Sequence, residues 1–198
     1  MATMTTIDPL VTALFLIAAF VIAGLMHSAW LASNASRRFS HPIDAGLRLR
    51  GRRLLGDNKT LRGFIVMAPA AGLSFFVLGA LLDAISPATR ASLWPLSNLE
   101  LALLGTWAGL GFMLGELPNS FIKRQLDIAP GAPASGGAAT VVGFVADRVD
   151  SIIGMLLAIS VVTYTPWQTW GYVLTLGPAI HLCFSVLLHR LGVKARAA

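Results

Sequence analysis

Long runs without a charged residue constrain this chain more than any other feature. They cover residues 10–36, 63–82, 101–115 and 151–189, and a Thr-Pro-Trp turn at 165–167 divides the last run in two. A helix of about 20 apolar residues crosses the hydrocarbon core of a bilayer. Only 12% of the residues are charged, whereas soluble domains contain about 25%. The sequence therefore excludes a soluble globular domain. Because the chain has a single cysteine, it also excludes a fold stabilised by intrachain disulfides.

The uncharged runs predict an all-α integral membrane protein that forms a single domain over residues 1–198. Five transmembrane helices are expected, because the long last run supplies two spans around its central turn. The predicted spans cover about 10–32, 63–83, 97–116, 147–166 and 168–189, and the predicted cytoplasmic loops cover 33–62 and 117–146.

The distribution of basic residues predicts how the helices are oriented. Every Lys and Arg except Arg90 lies between spans 1 and 2, between spans 3 and 4, after span 5 or, for Arg148, at the very start of span 4. Because cytoplasmic segments are enriched in Lys and Arg, we expect the N-terminus outside and the C-terminus in the cytoplasm, in the cell (inner) membrane. Trp94, Trp167 and Trp170 are then expected at the outer interface. In so apolar a chain, the net charge of +6 indicates membrane topology or an anionic ligand and no nucleic acid.

Three acidic residues are predicted at the inner boundary of the membrane, where acids often mark functional sites. Glu116 follows the third span, and Asp147 and Asp150 are expected on one face of the first turn of the fourth helix. Capping by Asp147, with Asp150 complementing the helix dipole, is the alternative interpretation. Carboxylates suit Mg²⁺, so the three acids are candidate metal ligands. Together with Lys123 they are the candidate catalytic residues, in a polar site formed by the cytoplasmic loops.

Two basic segments flank these acids, and both combine cations with small and hydroxyl residues. Such segments can surround an anion with side-chain cations and backbone N–H groups. The candidate phosphate-binding residues are Asp57, Asn58, Lys59, Thr60, Arg62, Gly63, Ser120, Lys123 and Arg124. Binding of anionic lipid headgroups is an equally good interpretation of the arginine-rich stretch 37–53.

The order and spacing of these motifs resemble the membrane-bound CTP:phosphatidate cytidylyltransferases, and most closely their CDP-archaeol synthase branch. The matching pieces are PIDAG at 42–46, GDNKTLRG at 56–63, SFIKR at 120–124, PGAP at 130–133 and DRVD at 147–150. The resemblance implies transfer of a cytidylyl group from CTP to a phosphatidate-like membrane lipid phosphate, with Mg²⁺ as cofactor. The chain departs from the family pattern with Asn58 for Gly, Leu61 for Trp, Glu116 for Asp and Ala129 for Lys.

Other interpretations of the same features stay open at this stage. A transporter for anions or lipids also places acids within the membrane, and a noncatalytic membrane protein could bind lipid through its basic loop. The glycine pairs of the third span, at 105/109 and 111/115, suit close helix packing and would permit a homodimer. His27 has no metal-ligand spacing and is assigned to hydrogen bonding between helices or to an interfacial position.

Overall fold

The computed structural model describes residues 7–130, 132 and 137–190, and long helices account for most of them. The elements in chain order are α1 (Pro9–Ala32), a short 3-10 helix (Ala35–Phe39), β1 (Arg48–Leu49), β2 (Arg52–Arg53), α2 (Leu61–Ile85), α3 (Pro87–Ala91), α4 (Asn98–Gln125), α5 (Gly137–Val162) and α6 (Trp167–Arg190). The mostly helical architecture predicted from the sequence is confirmed.

Each of the five predicted spans overlaps one long helix, namely α1, α2, α4, α5 or α6. Within the part of the chain that the structure describes, α1, α2 and α4 are long and apolar enough to cross a membrane, with mean hydropathies of 2.5, 2.2 and 1.3. The break between α5 and α6 falls at the predicted turn around Pro166.

Two helices extend well beyond the predicted spans, α4 at its C-terminal end and α5 at its N-terminal end. Helix α4 continues through Pro118 to Gln125, so the missing N–H of this proline removes one helical hydrogen bond without ending the helix. Helix α5 begins at Gly137, which places Asp147 ten residues inside it. The predicted first-turn position of Asp147 and Asp150 was therefore wrong, and so was the capping alternative. Nothing between Gly137 and Asp147 interrupts a helix, because the stretch lacks proline and begins with two alanines.

The end of the molecule where α1 and α4 begin is fixed by helix caps and by a buried tryptophan. Asp8 caps α1 by accepting hydrogen bonds from two backbone amides, and Ser97 and Glu100 form a reciprocal capping box at the start of α4. The Trp94 side chain is fully buried in the main apolar cluster, and its Nε1 donates to the Tyr164 carbonyl at 2.8 Å. Trp167, at the start of α6, is exposed, and the position of these tryptophans at the outer interface stays a prediction.

Helix α4 lies between α2 and α5, and glycines bring the three backbones together. A Cβ added at Gly105 would lie 2.7 Å from the Ala71 carbonyl oxygen of α2, and one added at Gly111 would lie 2.6 Å from the Gly154 carbonyl oxygen of α5. Such distances leave no room for a side chain. The glycines of α4 thus serve contacts within the chain, so they give no support to the predicted homodimer.

The segment between α1 and α2 folds back onto the start of α2. Strands β1 and β2 pair in an antiparallel hairpin, and both turn residues, Arg50 and Gly51, have positive φ, as expected for a two-residue hairpin turn. Pro42 bridges to Thr60, and the Ile43 amide donates to the Lys59 carbonyl at 2.9 Å. These contacts place the basic segment beside the C-terminal ends of α1 and α4 and the N-terminal end of α2.

Candidate active site

The acidic residues of α4 and α5 meet where the two helix backbones touch. A Cβ added at Gly115 would collide with the Asp150 carbonyl oxygen, so the residue before Glu116 is in contact with α5. Glu116 Oε1 accepts a hydrogen bond from Ser151 Oγ at 2.9 Å. The predicted convergence of acids from two separate helices is therefore present in the structure.

Asn119, one turn after Glu116 on α4, joins the two aspartates of α5. Its Nδ2 donates to Asp147 Oδ1 at 2.7 Å and to Asp150 Oδ2 at 2.8 Å. Because both oxygens contact one nitrogen, the two carboxylates face a common space. Asn119 and Ser151 were not among the predicted site residues. Both are polar residues close to predicted acids, and this was the signal available in the sequence.

Two lysines close the network at its ends. Lys59 forms an ion pair with Glu116, and Lys123 forms one with Asp147. The lysine side chains are only 17% and 13% exposed, so both ammonium groups are held in largely buried positions. A continuous chain of contacts therefore connects the basic segment before α2 to α4 and α5.

Arg124 is a buried cation with unused donors. It is 8% exposed, and its Nε and Nη1 are buried without a hydrogen-bond partner. Its aliphatic stem lies under Gly56, since a Cβ added at that glycine would be 3.4 Å from Arg124 Cδ. A buried guanidinium with unpaired N–H groups is costly unless an anion is supplied. The position of the Arg124 guanidinium beside the loop that contains Gly56 suits a phosphate group.

Asp44 organises the basic segment from within. It is 4% exposed, and its carboxylate accepts from the backbone amides of Gly46, Leu55 and Gly56 at 3.0–3.2 Å. Arg53 Nη2 donates to it at 2.7 Å. The Arg53 guanidinium and the three amides outweigh the opposing effect of burial and hold the pKa of Asp44 well below its usual range. The sequence placed Asp44 within a family motif without assigning it a role.

The remaining predicted residues lie in three places. A cavity between the C-terminal ends of α1 and α4 and the start of α2 is lined by Asn58, Thr60, Arg62 and Gly63. Ser120 is buried on α4. Asp57 is the exception, because its exposed carboxylate pairs with Arg53 and joins neither the cavity nor the acidic network.

The donor set fits a magnesium ion only in part. Mg²⁺ is usually bound by one or two carboxylates together with waters and substrate phosphates, and Asp147 and Asp150 provide two carboxylates around one space. Glu116 is already engaged by Lys59 and Ser151. Among the residues that the structure describes, no group of three or more His, Cys, Asp and Glu side chains is placed to hold a metal. The fit is therefore to a site that substrate oxygens complete.

Comparison with known proteins gives a consistent picture. A family model for CarS-like CDP-archaeol synthases matches residues 8–197. The CDP-archaeol synthase of Halobacterium salinarum is 35% identical over 179 residues, covering 85% of this chain and 91% of that protein. The CDP-archaeol synthase of Methanoculleus marisnigri is 33% identical over 183 residues, covering 85% of this chain and 98% of that protein.

A solved structure, described as an intramembrane enzyme for archaeal membrane lipid biosynthesis, has the same overall fold. It matches with a TM-score of 0.62 and 26% sequence identity, over 88% of this chain and 92% of that chain. The apolar helices and this likeness identify the chain as an integral membrane protein. The match of nearly its whole length shows that the chain belongs to the CDP-archaeol synthase family.

Proposed function

We propose that the chain transfers a cytidylyl group from CTP to the phosphate of a membrane lipid, giving a CDP-activated lipid of the CDP-archaeol or CDP-diacylglycerol type and pyrophosphate in phospholipid biosynthesis. Membership of the CDP-archaeol synthase family supports the reaction. The structural observation that carries it is the network in which acids of α4 and α5 alternate with Lys59 and Lys123. Carboxylates and cations in one site suit the handling of several phosphates.

The chemistry requires positioning more than proton transfer. An oxygen of the lipid phosphate attacks the α-phosphorus of CTP, and a new P–O bond forms. The bond from the α-phosphorus to the oxygen that bridges to the β-phosphate breaks, and pyrophosphate leaves with the electron pair. Because the attacking phosphate is already anionic at neutral pH, no general base is needed. The rate then depends on alignment and on cancellation of phosphate charge.

The cations supply that charge cancellation. Lys59 and Lys123 are paired with acids, and each can turn to a phosphate oxygen when CTP enters. Arg124 already presents unpaired N–H groups, so it gains a partner without losing one. Asn58, Thr60 and Ser120 add neutral hydrogen bonds to phosphate or ribose oxygens.

Magnesium is the proposed cofactor. Asp147 and Asp150 would hold it, and Glu116 would act as a third ligand or support the site through Ser151. A bound Mg²⁺ supplies charge neutralisation at the phosphates of the nucleotide. Asn119 keeps both aspartate carboxylates turned to the same space.

The membrane arrangement that suits this reaction has five spans, with the N-terminus outside and the C-terminus in the cytoplasm. All of the site residues lie at the end of the helices that carries nearly all of the basic residues, which is the end expected to face the cytoplasm. CTP then reaches the site from the cytosol, and the lipid headgroup reaches it from the inner leaflet. A homodimer stays a prediction that no observation here supports.

Product formation tests the function directly. Purified protein is incubated with α-labelled CTP, Mg²⁺ and a panel of lipid phosphates, and CDP-lipid and pyrophosphate are quantified. The expected result is both products in equal amounts, with none when Mg²⁺ is chelated. Uptake of an anion into vesicles without nucleotide turnover would favour a transporter, and lipid binding without either activity would favour a noncatalytic protein.

Variants of the network test the assignment of roles. Asp150→Ala and Lys123→Ala should each lower the rate by at least about 10²-fold, the loss typical of one preorganised electrostatic group. Asp83→Asn, at the opposite end of the molecule, is the matched control and should keep full activity. As a readout besides activity, Mg²⁺-dependent protection by CTP against heating should disappear in Asp150→Ala. Full turnover in a well-folded Asp150→Ala protein would refute the metal assignment.

A further inference from the structure

The connection between α1 and α2, residues 33–60, presents positive charge that no acid of its own balances. Four of its arginines are exposed, namely Arg37, Arg38, Arg48 and Arg50. None of the four takes part in an ion pair within the part of the chain that the structure describes. The two acids of the connection, Asp44 and Asp57, are both paired with Arg53. The exposed arginines are therefore available to an anionic partner.

Exposed apolar side chains lie directly beside these arginines in the sequence. Phe39 is 40% exposed, Leu47 is 62% exposed and Leu49 is 45% exposed. Such side chains are more stable out of water. Arginines that adjoin large apolar residues are typical of segments that lie in the headgroup region of a bilayer. A nucleic acid or a soluble anion would use the charge but would leave the apolar surface in water.

Both ends of the connection lie where helices leave the membrane. Helix α1 ends at Ala32 and α2 begins at Leu61, and both helices are long and apolar enough to cross a bilayer. The ring of Phe39 packs against Trp30 in the last turn of α1, with the ring centroids 6.0 Å apart. Because tryptophan is enriched at the membrane–water interface, this contact holds residues 37–39 near the lipid headgroups.

The hairpin within the connection is attached to the protein through β2, and β1 is its exposed edge. The Arg53 carbonyl of β2 accepts a hydrogen bond from Gln125 Nε2 of α4 at 3.2 Å, and Arg52 pairs with Asp127 at 2.5 Å. Both residues of β1 are exposed. Because β2 is fixed to α4, the edge formed by β1 is presented in one orientation, which lowers the entropic cost of binding to a surface.

The turn of the hairpin carries an arginine where other residues fit better. Arg50 has a φ of 51°, and Asn, Asp and Gly are the residues preferred at positive φ in two-residue hairpin turns. Backbone strain of this kind is often found at functional sites. A cation at the tip of the hairpin therefore supports a binding role for this edge.

We propose that residues 37–39 and 47–50 form a docking surface for the anionic phospholipid headgroups of the adjacent leaflet. The four exposed arginines bind headgroup phosphates, and the three apolar side chains enter the boundary between headgroups and acyl chains. The inference goes beyond the proposed function, because this surface binds the lipids that surround the protein and not the lipid that reacts.

The first test measures lipid affinity in the full-length protein. Native mass spectrometry in a neutral detergent compares phosphatidylglycerol with phosphatidylcholine, and we expect the wild type to bind the anionic lipid about 10-fold more tightly or better. Each Lys or Arg near an anionic surface contributes roughly 5-fold. The double variant Arg48→Gln/Arg50→Asn should therefore lose about 10-fold or more of the affinity for phosphatidylglycerol and none for phosphatidylcholine. Asn suits the positive φ at position 50, so the hairpin should still fold.

The matched control for this variant is Arg48→Lys/Arg50→Lys. It keeps both charges and should bind phosphatidylglycerol within about 3-fold of wild type, since Lys and Arg contribute similarly at an anionic surface. Leu47→Ser/Leu49→Ser tests the apolar contribution and should also weaken the binding of phosphatidylglycerol.

Hydrogen exchange of the wild type locates the bound lipid without any variant. The protein is placed in nanodiscs of phosphatidylcholine with and without phosphatidylglycerol. Exchange across residues 47–51 should slow when the anionic lipid is present, whereas exchange in the loop at residues 92–97, at the other end of the helices, should not change.

Several results would overturn the docking surface. They are equal affinity of the wild type for the two lipids, wild-type affinity of Arg48→Gln/Arg50→Asn for phosphatidylglycerol, and unchanged exchange at residues 47–51. Binding of polyphosphate or RNA that matches phosphatidylglycerol and ignores Leu47→Ser/Leu49→Ser would assign the arginines to a soluble polyanion. A raised KM for CTP in Arg48→Gln/Arg50→Asn would assign them to the nucleotide. Because the binding tests contain no CTP and use a phosphodiester lipid, their outcome is independent of the proposed function.

Discussion

The contact between Gly154 of α5 and Gly115 of α4 controls how the acids meet, and Gly154→Ala tests this. A Cβ added at Gly154 would lie 2.6 Å from Gly115 Cα and would also collide with the Gly111 carbonyl oxygen, whereas ordinary van der Waals contact begins at 3.4 Å. Both obstacles are backbone atoms, which cannot turn aside as a side chain can. The helices must therefore separate by about 0.8 Å or more.

That displacement has different consequences for stability and for activity. Overpacking costs about 1–3 kcal/mol, but replacing glycine by alanine inside a helix returns about 1 kcal/mol, so the net loss of stability is about 0–2 kcal/mol. The hydrogen bond of 2.9 Å between Ser151 and Glu116 spans the same helix pair and lengthens with it. Misplacement by about 1 Å can cost about 10²-fold in rate, so we expect a loss of about 10- to 100-fold.

The assay is CDP-lipid formation at saturating CTP and lipid, accompanied by thermal unfolding of the same preparation. Gly171→Ala in α6 is the matched control, because an added Cβ meets nothing within 4 Å there. It should be as stable as wild type or more stable, with unchanged activity. Activity of Gly154→Ala within about 3-fold of wild type would show that the spacing of α4 and α5 does not set the geometry of the site.

Three further predictions concern other parts of the molecule. Because the pKa of Asp44 is held below its usual range, its stabilising effect is complete above about pH 4 and is lost as the pH falls further. Hydrogen-exchange protection of the Leu55 and Gly56 amides should fall below pH 4, and Asp44→Asn should lower it at pH 6; equal protection in the variant would contradict the anchoring role. Arg124→Gln should raise the KM for CTP about 10-fold or more in steady-state assays, and an unchanged KM would show that its buried guanidinium contacts no nucleotide. Ser97→Ala removes the capping box and should lower the free energy of unfolding by about 1 kcal/mol without affecting turnover; an unchanged unfolding midpoint would contradict this estimate.

The sequence predicted the long helices well, because uncharged runs leave a chain in a bilayer few alternatives to helix. It also placed Glu116 near Asp147 and Asp150, since all three interrupt apolar runs at the same end. It failed at the start of α5, where the glycines and prolines before residue 137 suggested a longer loop. Local composition does not show where a helix begins when no capping residue marks the position.

The residues that sequence reasoning missed depend on tertiary contacts. Asn119 bridges two aspartates only because the glycines of α4 set the rotation and spacing of α5. Asp44 is buried only because the hairpin folds its amides and Arg53 around one carboxylate. Nε2 of His27 is buried without a hydrogen-bond partner, and this follows from the packing of α1 against the start of α2.

The two lysine–carboxylate pairs imply an exchange of counterions during substrate binding. Lys59 neutralises Glu116 and Lys123 neutralises Asp147, so these two pairs carry little net charge. In the proposed reaction, a divalent ion arriving alone would leave ammonium groups without partners, and a nucleotide arriving alone would leave carboxylates without partners. Each ligand should therefore bind weakly by itself and strengthen the other's binding, so that the enzyme admits the nucleotide and its metal together.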